Sequence, residues 1–232
     1  MSKSSINFAR VAYYSWSDLF MIDFEIMNSL DAFAKYISGN EELIARINRE
    51  WLEEIKKDDI LNSELHDALF KAQWYSHRFE NEELVNKEVT GRHRLWAFVS
   101  IYSFFEGKLK ELCIKVELKM GAKVKLEDIS DARGYVNQYW EYLTVGLKID
   151  DTRAKEYFEK LKSLKTYRNK IVHENGFIED LKIRESIRKS EGLEVDAGGH
   201  LKIVNVIFLN EVLNNVRLFF QETLKSIDVK CE

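Results

Sequence analysis

Three side chains close to one helix end are of types that can do chemistry. The stretch 165–176 reads KTYRNKIVHENG and holds Arg168, Asn169 and His173. Tyr157, Leu161, Leu164, Arg168 and Ile171 recur by three and four, so Arg168 sits on a stripe that is otherwise apolar. An unpaired charge there would be costly, and Arg168 therefore needs an acidic partner or a polar cavity. His173 lies one turn beyond Asn169 on the same face, and about 140° round the helix from Arg168. Histidine exchanges protons near neutral pH, so the group suits proton transfer beside a ligand in a polar pocket.

A second helix carries a matching misfit. Val99, Tyr102, Glu106, Leu109, Cys113, Val116 and Met120 follow the spacing of a buried seam, with Glu106 in its middle. Two readings stand. Either the helices lie side by side and Glu106 pairs with and orients Arg168, or both long side chains reach water independently.

The elements that must position these residues read as helices almost throughout. Apolar periodicity predicts one long or two broken helices over 5–37, ending near Ser38-Gly39-Asn40, then helices over 41–57 and 63–80. The acidic run ENEELVNKEVTG leads into a strong helix at 92–120 that stops near Gly121. Helices over 127–146, 152–174 and 178–190 follow, the second closed by Asn175 or Gly176 in a left-handed conformation. Leu193 and Val195 alternate with charges, as Leu201 and Ile203 do beyond Gly198-Gly199, which predicts a small β-hairpin near 193–204. A last helix spans 207–227. The fold class is all-α, and the absence of proline from 232 residues agrees with it.

Composition excludes several function classes. No apolar run approaches the roughly 18 residues of a membrane span, and no signal-peptide pattern opens the chain. No membrane partner is expected, core packing being the better reading of the aromatic stretch VAYYSWSDLF. Two cysteines, Cys113 and Cys231, form no framework and point to a reduced, cytoplasmic protein. His66, His77, His93 and His200 are scattered and neither cysteine has a ligand-spaced neighbour, so no metal and no cofactor is expected. There is no phosphate-binding glycine loop and no serine in a nucleophile elbow. The net charge of −4 is no nucleic-acid signature, yet residues 153–189 carry 11 basic against 6 acidic side chains. The locally basic segment is the one that contains Arg168 and His173.

Arg168-Asn169-Lys170-Ile171-Val172-His173 resembles the R-x4-6-H signature of the HEPN superfamily, including the polar residue after the arginine. LWAFVSIYSFFEGKLKELC also resembles the early core helix of such proteins, where an acidic residue recurs at the place of Glu106. The resemblance covers about 90–227. It implies a HEPN-like helical domain over 89–232, with 1–88 as a helical N-terminal extension.

What the resemblance implies for function is a metal-independent endoribonuclease of a toxin–antitoxin or phage-defence system. It implies a homodimer in which two motif copies meet across one cleft, with RNA as substrate and an antitoxin or other protein as partner. In that picture His173 is the acid/base, Arg168 grips the scissile phosphate, Asn169 fixes the imidazole or a phosphate oxygen, and Glu106 orients Arg168. Tyr167 and Lys170 are lesser candidates for base stacking and backbone contact, or else core-edge packing and a solvated charge. Two other readings remain open: a HEPN-like module that binds nucleotide or protein without cleaving, and a helical scaffold whose aromatic N-terminal segment docks a partner.

Overall fold

The computed structural model describes residues 14–132 and 134–231. The fold is all-α with one small hairpin. The first part of the expected N-terminal helix, 5–13, lies outside the described residues, and helix α1 runs Ser17–Lys57. Its buried residues Leu19, Ile22, Ile26, Leu30 and Ile37 recur at helical spacing and face helices α4 (Glu80–Met120) and α9 (Ile207–Cys231). The start of α1 is tied to the end of α9, because the Ser15 and Trp16 N–H groups donate to the Asp228 carboxylate at 2.8 and 3.0 Å.

α1 does not break at Ser38-Gly39-Asn40 as expected. Adding a turn to an existing helix costs far less than starting a new one, so a single glycine, at about 1 kcal/mol, does not stop it. A tertiary contact then holds the second half. Arg94 of α4 clamps Glu41 with Nε and Nη2 at 2.7 and 2.6 Å.

α4 also begins earlier than its apolar pattern, at Glu80 rather than near 92. Glu80, Glu82 and Glu83 sit in its positive first turn, and Glu83–Lys87 and Glu88–Arg92 are stabilising pairs one turn apart. The helix ends as expected at Gly121, whose φ of 56° is left-handed. Residue 88 therefore lies inside α4, and the first half of α1 shares one core with α4 and α9. Between α1 and α4 lie α2 (Asp59–Asn62), capped by Asp58, and α3 (Ala68–Arg78), capped by Asp67.

The core around α4 is dense in aromatic rings. Phe105 meets Phe219 edge to face at 5.3 Å, and Trp140 stacks on Phe158 at 4.4 Å.

The expected helix 127–146 is replaced by a 3-10 turn at Leu126–Asp128, helix α5 (Tyr135–Glu141) and a wider π-type turn over Tyr142–Gly146. Gly134, at φ 91°, re-aims the chain into α5 in a conformation closed to larger residues. The Tyr139 carbonyl accepts from Cys113 Sγ at 3.4 Å, which lays α5 along α4. The expected helix 152–174 divides into α6 (Lys155–Ser163) and α7 (Lys165–Glu174). Between them the Leu164 N–H donates to Leu161 at 3.1 Å, a tightened step of three residues.

Helix α8 (Leu181–Lys189) is capped by Asp180, whose carboxylate accepts from Lys182 and Ile183. Strands β1 (Leu193–Val195) and β2 (Leu201–Ile203) pair antiparallel, Leu193 opposite Ile203. The hairpin also anchors the end of α7. The Leu201 N–H donates to Gly176 at 2.8 Å and the Ile178 N–H to Gly199 at 2.9 Å. Among the described residues, no helix is long and apolar enough to cross a membrane.

Candidate functional site

α7 carries Arg168 and Asn169 into a cavity of about 650 Å³ bounded by α4, α5 and α7. α4 supplies Tyr102, Glu106 and Lys110, α5 supplies Tyr135 and Tyr139, and Lys165 completes the α7 wall. The Arg168 stem is half-buried, as its place on an apolar stripe requires. Its Nη1 donates to Asn169 Oδ1 at 3.0 Å, and its Nε is buried without a hydrogen-bond partner.

The direct Glu106–Arg168 pair expected as one reading does not form; both side chains line the same cavity and influence Tyr102 between them. Burial first, then the negative charge of Glu106, raises the Tyr102 hydroxyl well above its ordinary pKa, while Arg168 works the other way. Tyr139 is raised as well, again by burial first and then by Glu106. Both phenols therefore stay protonated at neutral pH and remain able to donate. The Tyr102 oxygen, like Arg168 Nε, is buried with no partner. A buried donor left unmet costs about 1–3 kcal/mol, so two such atoms on one cavity mark a place where a polar ligand would gain contacts.

Three cations, Lys110, Lys165 and Arg168, and one anion, Glu106, line this space. The site is locally positive in a chain whose net charge is −4. Tyr135 and Tyr139, in the same lining, lie near parallel, ring centres 6.3 Å apart and planes 16° apart. Tyr139 is buried, and Tyr135 is 56% exposed.

The remaining candidates fall elsewhere. His173 is exposed in the last turn of α7 and does not line the cavity with Arg168. Asn169, one turn before it on the same face, links the two places. The stop after His173 is built as expected: Asn175 and Gly176 are both left-handed, at φ 51° and 78°, and the Gly176 N–H donates to Lys170 at 2.8 Å. Tyr167 points away into the core, its hydroxyl donating to Ser186 Oγ at 2.8 Å, so it secures α8 to α7. Lys170 pairs with Glu174 one turn on, outside the cavity. No group of three or more His, Cys, Asp or Glu side chains among the described residues is placed to hold a metal ion.

Sequence reasoning missed Lys110, Tyr135, Tyr139 and Lys165. The spacing of Tyr135 and Tyr139 on one face of α5, and of Lys165 one turn before Arg168, was a signal within each helix. Their convergence was not. No protein-family model, curated protein or solved structure matches this chain.

Proposed function

We propose that this protein is a metal-independent endoribonuclease of HEPN type that works as a homodimer. The observation that carries the reading is Arg168: a half-buried guanidinium with an unmet donor, opening on a cationic cavity, on the same short helix as a solvent-exposed histidine. RNA cleavage by transesterification needs a base for the 2′-hydroxyl proton, an acid for the leaving 5′-oxygen and positive charge for the pentacoordinate phosphate. Arg168 supplies the charge through its fork of donors. His173 supplies one proton-transfer group, reached from the cavity along Asn169. One imidazole cannot serve as base and acid in a single step, so the proposal takes the second from a second copy, with two α7 ends facing one phosphodiester.

In this reading the enzyme acts on cytoplasmic RNA, as a toxin or phage-defence effector restrained by an antitoxin or other protein. The alternative is a nucleotide-binding module that does not cleave. It is favoured by the position of His173 outside the cavity that Arg168 lines.

Incubating the purified protein with a mixed RNA pool in excess chelator separates the two. The nuclease yields fragments with 2′,3′-cyclic phosphate ends, and His173→Ala and Arg168→Ala each abolish them while circular dichroism and sedimentation match the parent. Intact RNA, or cleavage at the parental rate by either variant, removes the mechanism.

A further inference from the structure

The cavity holds more than a phosphate clamp needs. A phosphodiester requires only the cations, yet α4 adds a carboxylate and α5 an exposed aromatic ring to the same space. Its volume of about 650 Å³ lies within the roughly 300–1,000 Å³ of small-molecule sites. We infer that it is a guanine-nucleotide pocket: Tyr135 stacks on the base, Glu106 reads the base edge, and Lys110, Lys165 and Arg168 take the phosphate. This rests on the reading of the site as one that acts on RNA, and it names the nucleotide held there.

Glu106 selects the base. An ionised carboxylate only accepts hydrogen bonds, and it has two oxygens side by side. Of the four RNA bases, guanine alone offers two adjacent N–H donors on its pairing edge, N1–H and the 2-amino group. Adenine and cytosine set a ring-nitrogen lone pair beside the amino group, and uracil flanks its single N–H with carbonyls; each would turn an acceptor towards the carboxylate. Because Glu106 is not consumed by a direct pair with Arg168, its charge is available to the ligand. Tyr135 supplies the platform, since its inner neighbour Tyr139 lies nearly parallel and holds the ring in place. The buried Tyr102 hydroxyl of α4 and Arg168 Nε of α7 are unmet donors belonging to residues that line the same cavity.

Calorimetric titration of the full chain with 5′-GMP, 5′-IMP, 5′-AMP and inorganic phosphate tests the pocket without any cleavage step. GMP is expected to bind about tenfold or more tighter than AMP, as two paired hydrogen bonds to a base edge require, with IMP between them because it lacks the 2-amino group. Glu106→Gln should erase the preference for GMP over AMP, and Tyr135→Ala should weaken GMP about tenfold. Tyr135 is exposed, so its variant folds, and a parental melting curve verifies this.

Equal affinity for GMP and AMP, binding of phosphate as tight as GMP, or no binding of any of them overturns the pocket. The result is distinguishable from failure of the nuclease. GMP binding with intact RNA sinks only the nuclease, and RNA cleavage without GMP binding sinks only the pocket.

Discussion

Replacing Arg168 by methionine should make the protein more stable while abolishing the RNA cleavage proposed for it. Methionine keeps the unbranched stem that packs on the apolar stripe and removes the guanidinium. The buried Nε without a partner costs about 2 kcal/mol in the parent, the middle of the range for an unmet donor. Against this, the variant loses the 3.0 Å bond to Asn169, worth about 1 kcal/mol between neighbours that water can re-solvate. The balance is about 1 kcal/mol in favour of the variant. For a chain of this length that is a rise of about 3 °C in melting temperature. Urea unfolding followed by circular dichroism, with equal m-values, reads the difference directly. A structural arginine would behave in the opposite way: loss of a needed contact would lower stability. A variant destabilised by more than about 1 kcal/mol would show that Arg168 is satisfied in the free protein, and the inference from its orphaned donor would fail.

Other expectations follow from contacts outside the cavity. Arg94→Ala removes the clamp on Glu41 and the Nη1 donations to the Ile203 and Val204 carbonyls, and should cost about 2 kcal/mol by urea unfolding. Asp196 holds the hairpin turn. The His200 N–H bond first, then the nearby charge of Lys202, keeps its carboxyl below the ordinary value. A lowered folded pKa means that its contribution is present above about pH 4 and is lost as pH falls through the lowered value. Protection factors of the Leu193–Ile203 amides, each referred to the intrinsic exchange rate at that pH, should accordingly fall at acid pH, and Asp196→Asn should remove that dependence. Cys113 is buried and burial pushes its thiol up, so an alkylating reagent should label Cys231 first in the native protein and both cysteines only in denaturant.

Much of the local structure was legible because its causes are local. Gly121 ends α4, Asn175-Gly176 ends α7, and Gly198-Gly199 turns the hairpin, each where backbone with positive φ is close by and small or amide residues are offered. Arg168 stands out as a misfit in the sequence, since its place on a 3.6-residue period requires no knowledge of neighbours. The expectations that differed depend on distant contacts. α1 crosses Gly39 with Glu41 held by Arg94, 53 residues away. Residues 129–132 lie outside any helix, and Gln138 Nε2 donates to the Ile129 carbonyl at 2.8 Å.

Local patterns in the chain are enough to specify a helical fold, most of its stops and its hairpin, and a charge set at one point of an apolar stripe. Hydrogen bonds that close within four residues, and periodicity along one element, are enough for that. Long-range packing sets the rest: α4, α5 and α7 meet around one cavity, Glu106 lines it without closing on Arg168, and His173 is exposed to solvent. Residues such as Lys110, Tyr135 and Arg168 become neighbours through the packing of α4, α5 and α7 on one another. That packing depends on how whole helix surfaces fit, and no short stretch of sequence contains it.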